Sequence, residues 1–206
     1  MNVLYLIGKN LCAGICRFWG RWEVIGADNI PETGGVLLCG NHISYMDPPA
    51  LGGGAKRQVH FMAKEPLFRV PVLGYLIRKV GAFPVHQNSA DRAALKTAIE
   101  YLKAGEVVGM FPEGRRRFDG KLGKPLPGAS MIVLRADVPV VPVALIGTDK
   151  LLPPHSSTLK FSRVKVVYGK PITFDDLKDL QGREAMDKIG ERIMTAIGEL
   201  IEEYKD

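Results

Sequence analysis

The chain has 206 residues, of which 46% are hydrophobic and 24% are charged, so it suits one folded domain and is not an intrinsically disordered chain. Its formal net charge of +6 fits an anionic partner, which could be nucleic acid, a membrane surface or a phosphorylated substrate, and an ordinary basic surface is an equal alternative. The three cysteines, Cys12, Cys16 and Cys39, predict no disulfide framework, and the four scattered histidines predict no structural metal site.

The first 22 residues form an apolar segment that cationic side chains interrupt. Large apolar residues recur at steps of three and four, which predicts an amphipathic helix. Lys9 and Arg17 fall off the apolar face, and Lys9 near the middle argues against a membrane-spanning helix. We therefore expect residues 1–22 to lie in a membrane interface, with Trp19 and Trp22 at the headgroup level. The alternative is a helix packed on the domain's own core. The predicted apolar face consists of Leu4, Ile7, Leu11, Ile15, Phe18 and Trp22.

Residues 23–206 alternate short apolar runs with longer amphipathic segments. This alternation predicts a single α/β domain with a mostly parallel or mixed central sheet flanked by helices. In such sheets, binding sites gather at the carboxyl ends of the strands. After a short strand near the start, the predicted strands are 35–39, 59–63, 81–85, 107–111, 140–146 and 164–168. The predicted helices are 48–53, 66–80 with a break near Pro71, 90–103 capped by Asn88 or Ser89, 128–136 and 183–204.

The sequence GNHISYMDPP, residues 40–49, follows the first buried strand. His42 and Asp47 have four residues between them across a predicted strand-to-helix turn. A histidine can act as a general base near neutral pH, and a carboxylate on one ring nitrogen orients it and stabilises its protonated form. Asn41 and Ser44 could brace the turn or the ring. The alternative is a capping turn in which Asp47 caps the next helix and His42 is merely exposed.

The sequence FPEGRRR, residues 111–117, follows a later buried strand. Proline and Gly114 predict a tight turn at the strand's end. The planar forks of Arg115, Arg116 and Arg117 suit a phosphate group, and Glu113 could accept bonds from ligand hydroxyls or hold an arginine. A solvated basic loop is the alternative.

Taken together, these motifs resemble the signature blocks of the 1-acylglycerol-3-phosphate acyltransferase family. The first block matches residues 41–47 and the third matches residues 111–116. Segment 63–68, which contains Lys64, resembles the stretch between blocks. Segments 81–85 and 138–144 resemble the second and fourth blocks, so the resemblance covers roughly residues 22–168.

The resemblance implies transfer of a fatty acyl group from acyl-CoA or acyl-acyl carrier protein to the 2-hydroxyl of lysophosphatidic acid. His42 would be the general base and Asp47 its partner, with no metal and no cofactor beyond the acyl donor. The implied partners are the acceptor lipid, the donor and a phospholipid membrane, but not nucleic acid, and the implied location is peripheral or monotopic on the cytoplasmic face of the cell membrane. The substrate-binding residues would be Asn41, Ser44, Lys64, Glu113, Gly114, Arg115, Arg116 and Arg117.

Two departures from the family pattern concern the acceptor. His86 and Gln87 stand where the second block usually has an acidic residue and an arginine, so a phosphate-binding arginine is missing. The third block has three arginines after its glycine, where Thr-Arg-Ser is usual. Another lysophospholipid or glycerol-3-phosphate is therefore an alternative acceptor. A non-catalytic basic membrane-binding module is the alternative of a different class.

Overall fold

A computed structural model gives the architecture of the chain and describes residues 3–86, 91–177, 179–180 and 182–205. The described residues form one domain in which strands alternate with helices. The strands are β1 Glu23–Ile25, β2 Val36–Gly40, β3 Val59–Lys64, β4 Phe83–Val85, β5 Val107–Met110, β6 Val140–Ile146 and β7 Lys165–Tyr168. The helices are α1 Val3–Gly20, α2 Asp47–Gly54, α3 Leu73–Lys79, α4 Arg92–Lys103, α5 Pro127–Ala136, α6 Thr148–Leu151 and α7 Gly182–Tyr204.

The seven strands form a single mixed sheet in the order β1-β7-β6-β2-β5-β3-β4. All neighbouring pairs are parallel except β6 and β7, which are antiparallel. The prediction of a single α/β domain with a mostly parallel or mixed sheet is confirmed. Every predicted strand is present within two residues of its predicted ends.

Both faces of the sheet are covered, which explains why its central strands are continuous apolar runs. Along β2, Leu37 and Cys39 face one side and pack with α4, α5 and α7. Val36 and Leu38 face the other side and pack with α1 and α2. This three-layer arrangement fixes the central strands rigidly, and with them the loops at their ends.

The predicted helix at 66–80 breaks where the sequence indicated. A 3₁₀ turn, Glu65–Arg69, precedes α3, and the segment between them contains Pro71. The predicted cap of α4 needs a correction. Asp91 caps this helix and accepts a hydrogen bond from the backbone N–H of Ala94 at 3.0 Å. Asn88 and Ser89, like Gln87, lie outside the described residues.

Helix α1 uses its two faces differently. Tyr5 and Cys16 are buried, and the Tyr5 hydroxyl accepts a hydrogen bond from the backbone N–H of Val59 at 3.0 Å. Lys9 donates to the carbonyl of Ala55, so its ammonium group faces the domain. The opposite face is exposed and apolar. Its largest exposed side chains are Val3, Leu4, Leu6, Ile7, Leu11 and Phe18.

The predicted apolar face is therefore correct at most of its positions and wrong at its end. Helix α1 stops at Gly20, and Trp22 lies beyond it, half-buried against Gly53 of α2. In the part of the chain that the structure describes, no helix is both long and apolar enough to cross a membrane.

Candidate active site

Five parallel strands bring their carboxyl ends to one edge of the sheet, in the order β6, β2, β5, β3, β4. Because Cys39 of β2 pairs with Met110 of β5, the segments that follow these strands leave the sheet side by side. One segment carries His42 and the other carries Glu113. Lys64 ends β3 at the same edge. The sheet order thus joins two motifs that lie about 70 residues apart in sequence, as the contact between His42 and Glu113 shows.

His42 is held by groups from two segments, its own turn and the 111–117 turn. Its Nδ1 lies 2.8 Å from Oδ2 of Asp47, and its ring stacks on that of Phe111 with 4.1 Å between the centroids. Its backbone N–H donates to Oε1 of Glu113 at 3.1 Å. Its backbone carbonyl accepts from the N–H of Arg117 at 2.7 Å. With Nδ1 donating to a carboxylate, Nε2 is the nitrogen that can accept a proton.

Asp47 is completely buried and accepts four hydrogen bonds. Besides the His42 ring, Oδ2 accepts from the backbone N–H groups of Ile43 and Ser44, both at 2.7 Å. The hydroxyl of Thr148, the first residue of α6, donates to Oδ1 at 2.6 Å. These four bonds hold the carboxylate in one position. Asp47 is the first residue of α2, and its backbone N–H partners lie before that helix, so its carboxylate organises the His42 turn rather than capping α2.

Asn41 and Ser44 brace the site and do not face its cavity, which corrects their assignment to substrate binding. Asn41 exchanges two hydrogen bonds with the backbone of Leu145 on β6, at 2.9 and 2.7 Å. The Ser44 hydroxyl donates to the carbonyl of Leu152 at 3.1 Å and accepts from the N–H of Met46 at 3.2 Å. Both side chains are almost fully buried. They tie the His42 turn to the neighbouring strand and to the segment after α6.

Glu113 links two loops. Its Oε1 accepts from the His42 backbone and its Oε2 from the N–H of Gly123 at 2.7 Å. The side chain is only 5% exposed. Its carboxylate therefore holds the 111–117 turn against the His42 turn, although the residue also lines the cavity described below.

Gly114 gives the 111–117 turn its shape. Its φ of +68° is left-handed, and a Cβ there would lie 2.3 Å from a methyl group of Leu126. The three following arginines then separate. Arg115 is exposed, Arg116 lies with its guanidinium 3.4 Å above the ring of Tyr45, and Arg117 pairs with Asp119 at 2.5 Å.

His42 opens onto a cavity of about 1050 Å³. The apolar side chains that line it include Met62, Leu95, Met110, Leu126 and Met131. Cationic side chains also line it, namely Lys64, Arg115, Arg117 and Lys124. Among the described residues that line this cavity, Arg115 and Arg117 are present and Arg116 is not. Arg116 lines a separate shallow pocket together with both neighbours.

Residues 21–146, which are more than half of the chain, match the family model described as Acyltransferase. The chain belongs to the Acyltransferase family. The match covers His42, Asp47 and the whole 111–117 turn. The predicted resemblance is thereby confirmed, and with it the prediction that the chain is an O-acyltransferase rather than a non-catalytic module.

Individual relatives agree with this membership. This acyltransferase is 30% identical over 199 residues to the 1-acyl-sn-glycerol-3-phosphate acyltransferase of Bacillus subtilis, covering 96% of each chain. It is 34% identical over 175 residues to a chloroplastic 1-acyl-sn-glycerol-3-phosphate acyltransferase of Brassica napus, covering 83% of this chain and 50% of the relative. The crystal structure of the 1-acyl-sn-glycerophosphate acyltransferase PlsC from Thermotoga maritima matches 98% of this chain and 78% of its own, with a TM-score of 0.76 and 29% identity.

Sequence reasoning missed two parts of this acyltransferase's site. Thr148 supports Asp47 from 101 residues away, and Phe111 supplies the surface on which His42 stacks. Gly147 and Thr148 follow directly after a predicted strand, which is the place where site residues gather. That position could have drawn attention to Thr148. Nothing local to the sequence indicated the Phe111 stack.

Proposed function

We propose that this acyltransferase moves a fatty acyl group from an acyl thioester to the 2-hydroxyl of lysophosphatidic acid, giving phosphatidic acid. His42 acts as the general base, and the donor is acyl-CoA or acyl-acyl carrier protein, with no further cofactor. The observation that carries the proposal is the 2.8 Å contact between His42 Nδ1 and buried Asp47, on a ring that lines the cavity. The names of the Bacillus and Thermotoga relatives support lysophosphatidic acid as the acceptor.

The proton and the acyl group follow a simple route. Nε2 of His42 takes the proton of the acceptor hydroxyl while that oxygen attacks the thioester carbonyl carbon. The tetrahedral intermediate then collapses, the carbon–sulfur bond breaks, and the protonated ring returns its proton to the leaving thiolate. Asp47 stabilises the ring while it carries two protons. The acyl group passes directly to the acceptor, so no acyl-enzyme forms, and Ser44 stays a bracing residue.

The apolar and cationic side chains that line the cavity suit different parts of the substrates, the fatty acyl chain and the phosphate. The apolar side chains match the fatty acyl chain, because burying methylene groups is favourable by about 0.8 kcal/mol each. The cationic side chains match the phosphate, because Arg115 and Arg117 can form charge-assisted bonds to its oxygens. His42 lines the same cavity as both groups of side chains, as transfer between these partners requires.

A thiol-release assay with a panel of acceptors tests the proposal. Acyl-CoA is offered with lysophosphatidic acid, with a lysophospholipid that carries a larger headgroup, or with glycerol-3-phosphate. We expect the fastest thiol release with lysophosphatidic acid and loss of release in the His42→Ala variant. Faster turnover with either of the other acceptors would overturn the assignment of lysophosphatidic acid as the acceptor, but acyl transfer would still be the reaction. No release with any acceptor, with either thioester donor, would overturn the reaction itself.

We also propose that α1 lies on the cytoplasmic membrane surface through its exposed apolar face, where a soluble donor and a lipid acceptor can meet. Leu11 and Phe18 are 63% and 66% exposed, so most of each side chain is open to solvent. The segment that contains α3 lies next to α1 and also exposes apolar side chains. A Cβ built on Gly8 of α1 would lie 3.5 Å from a methyl group of Val80 at the end of α3. The exposed apolar side chains of that neighbouring segment are Val70, Val72, Leu73, Tyr75 and Leu76.

Vesicle binding by the full chain tests this placement. Removing α1 is unsuitable, since Tyr5 is buried and bonded to β3. Instead, Leu11→Ser and Phe18→Ser together should weaken binding to anionic vesicles, while the matched control Asn10→Ser on the same helix should not. Added salt should weaken binding further through the net charge of +6. Equal binding by both variants would mean that this face does not contact lipid.

A further inference from the structure

A second histidine–aspartate pair lies on the wall of the same cavity as His42. His86 directly follows β4, and its Nδ1 lies 2.8 Å from Oδ2 of Asp91. The backbone N–H of His86 donates to the same oxygen at 2.8 Å. The spacing, four residues between histidine and aspartate, equals that between His42 and Asp47. The nitrogen and oxygen that meet are also the same.

The two pairs differ in burial. The side chain of His42 is 18% exposed over a fully buried aspartate, whereas that of His86 is 66% exposed over an aspartate that is 10% exposed. No group corresponding to Phe111 stacks on His86 among the described residues. An imidazole this open is reachable by a ligand, and in the protonated ring Nε2 can donate to that ligand while Nδ1 donates to Asp91.

Asp91 places a negative charge beside His86. Hydrogen bonds from the backbone N–H groups of Ala94 and His86 hold the pKa of the Asp91 carboxyl at about 2. The carboxylate therefore stays charged at every pH at which an enzyme of this kind is assayed. When the ring is protonated, Nδ1 of His86 and this carboxylate form an ion pair at 2.8 Å.

The surroundings of His86 are also cationic. On β3, Lys64 pairs with Val85, the residue just before His86, and Arg92 begins α4 just after Asp91. The acidic groups nearby are engaged elsewhere. Glu65 on the 3₁₀ turn pairs with Arg69, and Glu113 accepts two backbone hydrogen bonds. Arg115, Arg117 and Lys124 also line the cavity.

We propose that His86, held by Asp91, binds the phosphate of the acceptor as an imidazolium and makes acceptor affinity depend on pH. The inference rests on the proposed function, since it names how that acceptor is held. The positive charge would then lie on residue 86. In the family pattern an arginine stands one residue later, at the position of Gln87. His42 and His86 then have opposite requirements, because the base must be neutral and the phosphate ligand protonated.

The sign of the pH effect follows from this. An unperturbed histidine titrates near pH 6.5. The favourable contact is fully present below the pH at which His86 loses its proton, and it disappears above that pH. The acceptor's phosphate monoester also titrates, near about pH 6, and gains charge as pH rises. A His86→Arg variant isolates the histidine, because its charge is fixed while the phosphate still titrates.

The test measures KM for lysophosphatidic acid and for acyl-CoA at about pH 6 and about pH 8 in wild type, His86→Arg and His86→Gln. At the lower pH, wild type and His86→Arg should have similar acceptor KM values, and His86→Gln a higher one. At the higher pH, the wild-type acceptor KM should exceed that of His86→Arg roughly tenfold, which is the low end for a lost charge-assisted bond. The donor KM should not differ among the three proteins. Thermal midpoints measured alongside should agree, because the His86 side chain is exposed.

Two controls sharpen the result. Lys96→Gln removes an exposed cation from the same helix as Asp91, and it should leave the acceptor KM and its pH profile unchanged. Asp91→Asn keeps a side chain that caps a helix equally well but removes the negative charge. In that variant the acceptor KM should rise, because the ion pair that positions the His86 ring is lost. An acceptor KM identical to that of the wild type would mean that Asp91 does not position His86.

The outcomes separate this inference from the function on which it rests. Equal acceptor KM values and pH profiles in all three proteins would overturn the role of His86 while wild-type transfer upholds the proposed function. A lower kcat in His86→Gln with unchanged acceptor KM would also overturn it, since that result marks a second proton-transfer group. Absence of transfer to lysophosphatidic acid by the wild type would overturn the proposed function first.

Discussion

Replacing Thr148 with valine should slow acyl transfer although Thr148 touches neither substrate nor His42. Valine matches threonine in shape and lacks only the hydroxyl that donates to Oδ1 of Asp47 at 2.6 Å. Both residues are completely buried, so water cannot replace the lost donor. Among the described residues, Thr148 provides the only hydrogen bond to Oδ1. Its loss leaves half of a buried carboxylate without a partner.

The expected magnitude follows from that geometry. A hydrogen bond to a charged group contributes about 1.5–3 kcal/mol, so the free energy of unfolding should fall by about 2 kcal/mol. The carboxylate can also rotate toward other donors, which turns Oδ2 away from Nδ1 of His42. We expect kcat to fall roughly tenfold, less than the ~10²–10⁴ associated with loss of a general base. Thr148→Ser keeps the hydroxyl and should restore most of the rate.

A matched variant separates stability from catalysis. Ser130 on α5 is also buried, and its hydroxyl donates to the carbonyl of Met186 on α7 at 2.7 Å, away from the His42 turn. Ser130→Ala should lower stability in urea unfolding by about 1–3 kcal/mol and leave kcat in the thiol-release assay unchanged. If Thr148→Val lost stability but kept the wild-type kcat, the support of Asp47 by Thr148 would have no catalytic consequence.

Three further predictions concern the two turns. His42→Ala should lower kcat by a factor of ~10²–10⁴ while the protein remains folded, and Asp47→Asn should also lower kcat. Near-normal thiol release by a folded His42→Ala variant would show that His42 is not part of the mechanism. Arg115→Ala should raise the acceptor KM more than Arg116→Ala, because Arg115 lines the cavity and Arg116 stacks on an aromatic ring, and the reverse order would favour Arg116 as the phosphate ligand. Gly114→Ala should lower stability by roughly 1–2 kcal/mol in urea unfolding because of its left-handed φ, whereas unchanged stability would mean that the turn relaxes freely.

Local sequence patterns predicted most elements of this fold, although the short helix α6 was not among them. Strands buried on both faces appear as apolar runs, and the helices between them have amphipathic spacing. The position of His42 after one such run and of the 111–117 turn after another indicated that both motifs lie at strand ends. That β2 lies between β5 and β6 could not be predicted, because the order of parallel strands is set by long-range packing. Yet this order brings Glu113 and Thr148 to the His42 turn.

The roles of individual polar side chains depended on the same long-range information. The family resemblance implied that Asn41 and Glu113 bind substrate, while the residues alone left a bracing role open for Asn41 and an arginine-holding role open for Glu113. In the structure their hydrogen-bonding groups are taken up by the backbones of Leu145, His42 and Gly123. Buried polar groups must find such partners, because leaving them unpaired is costly. Which turn supplies the partner is decided by the sheet and not by the motif.

The two histidine–aspartate pairs show how far spacing alone can mislead. His42–Asp47 and His86–Asp91 share the same spacing and the same contact at 2.8 Å. Only the first is enclosed by groups from other elements, and enclosure lets an aspartate orient a ring without competition from water. Both residues of the second pair come from one short segment, and the His86 side chain is 66% exposed. We therefore expect this pair to contribute through its charge. His42 therefore has the enclosure that our proposed proton transfer needs, whereas His86 is exposed on the cavity wall, where we propose that it binds phosphate.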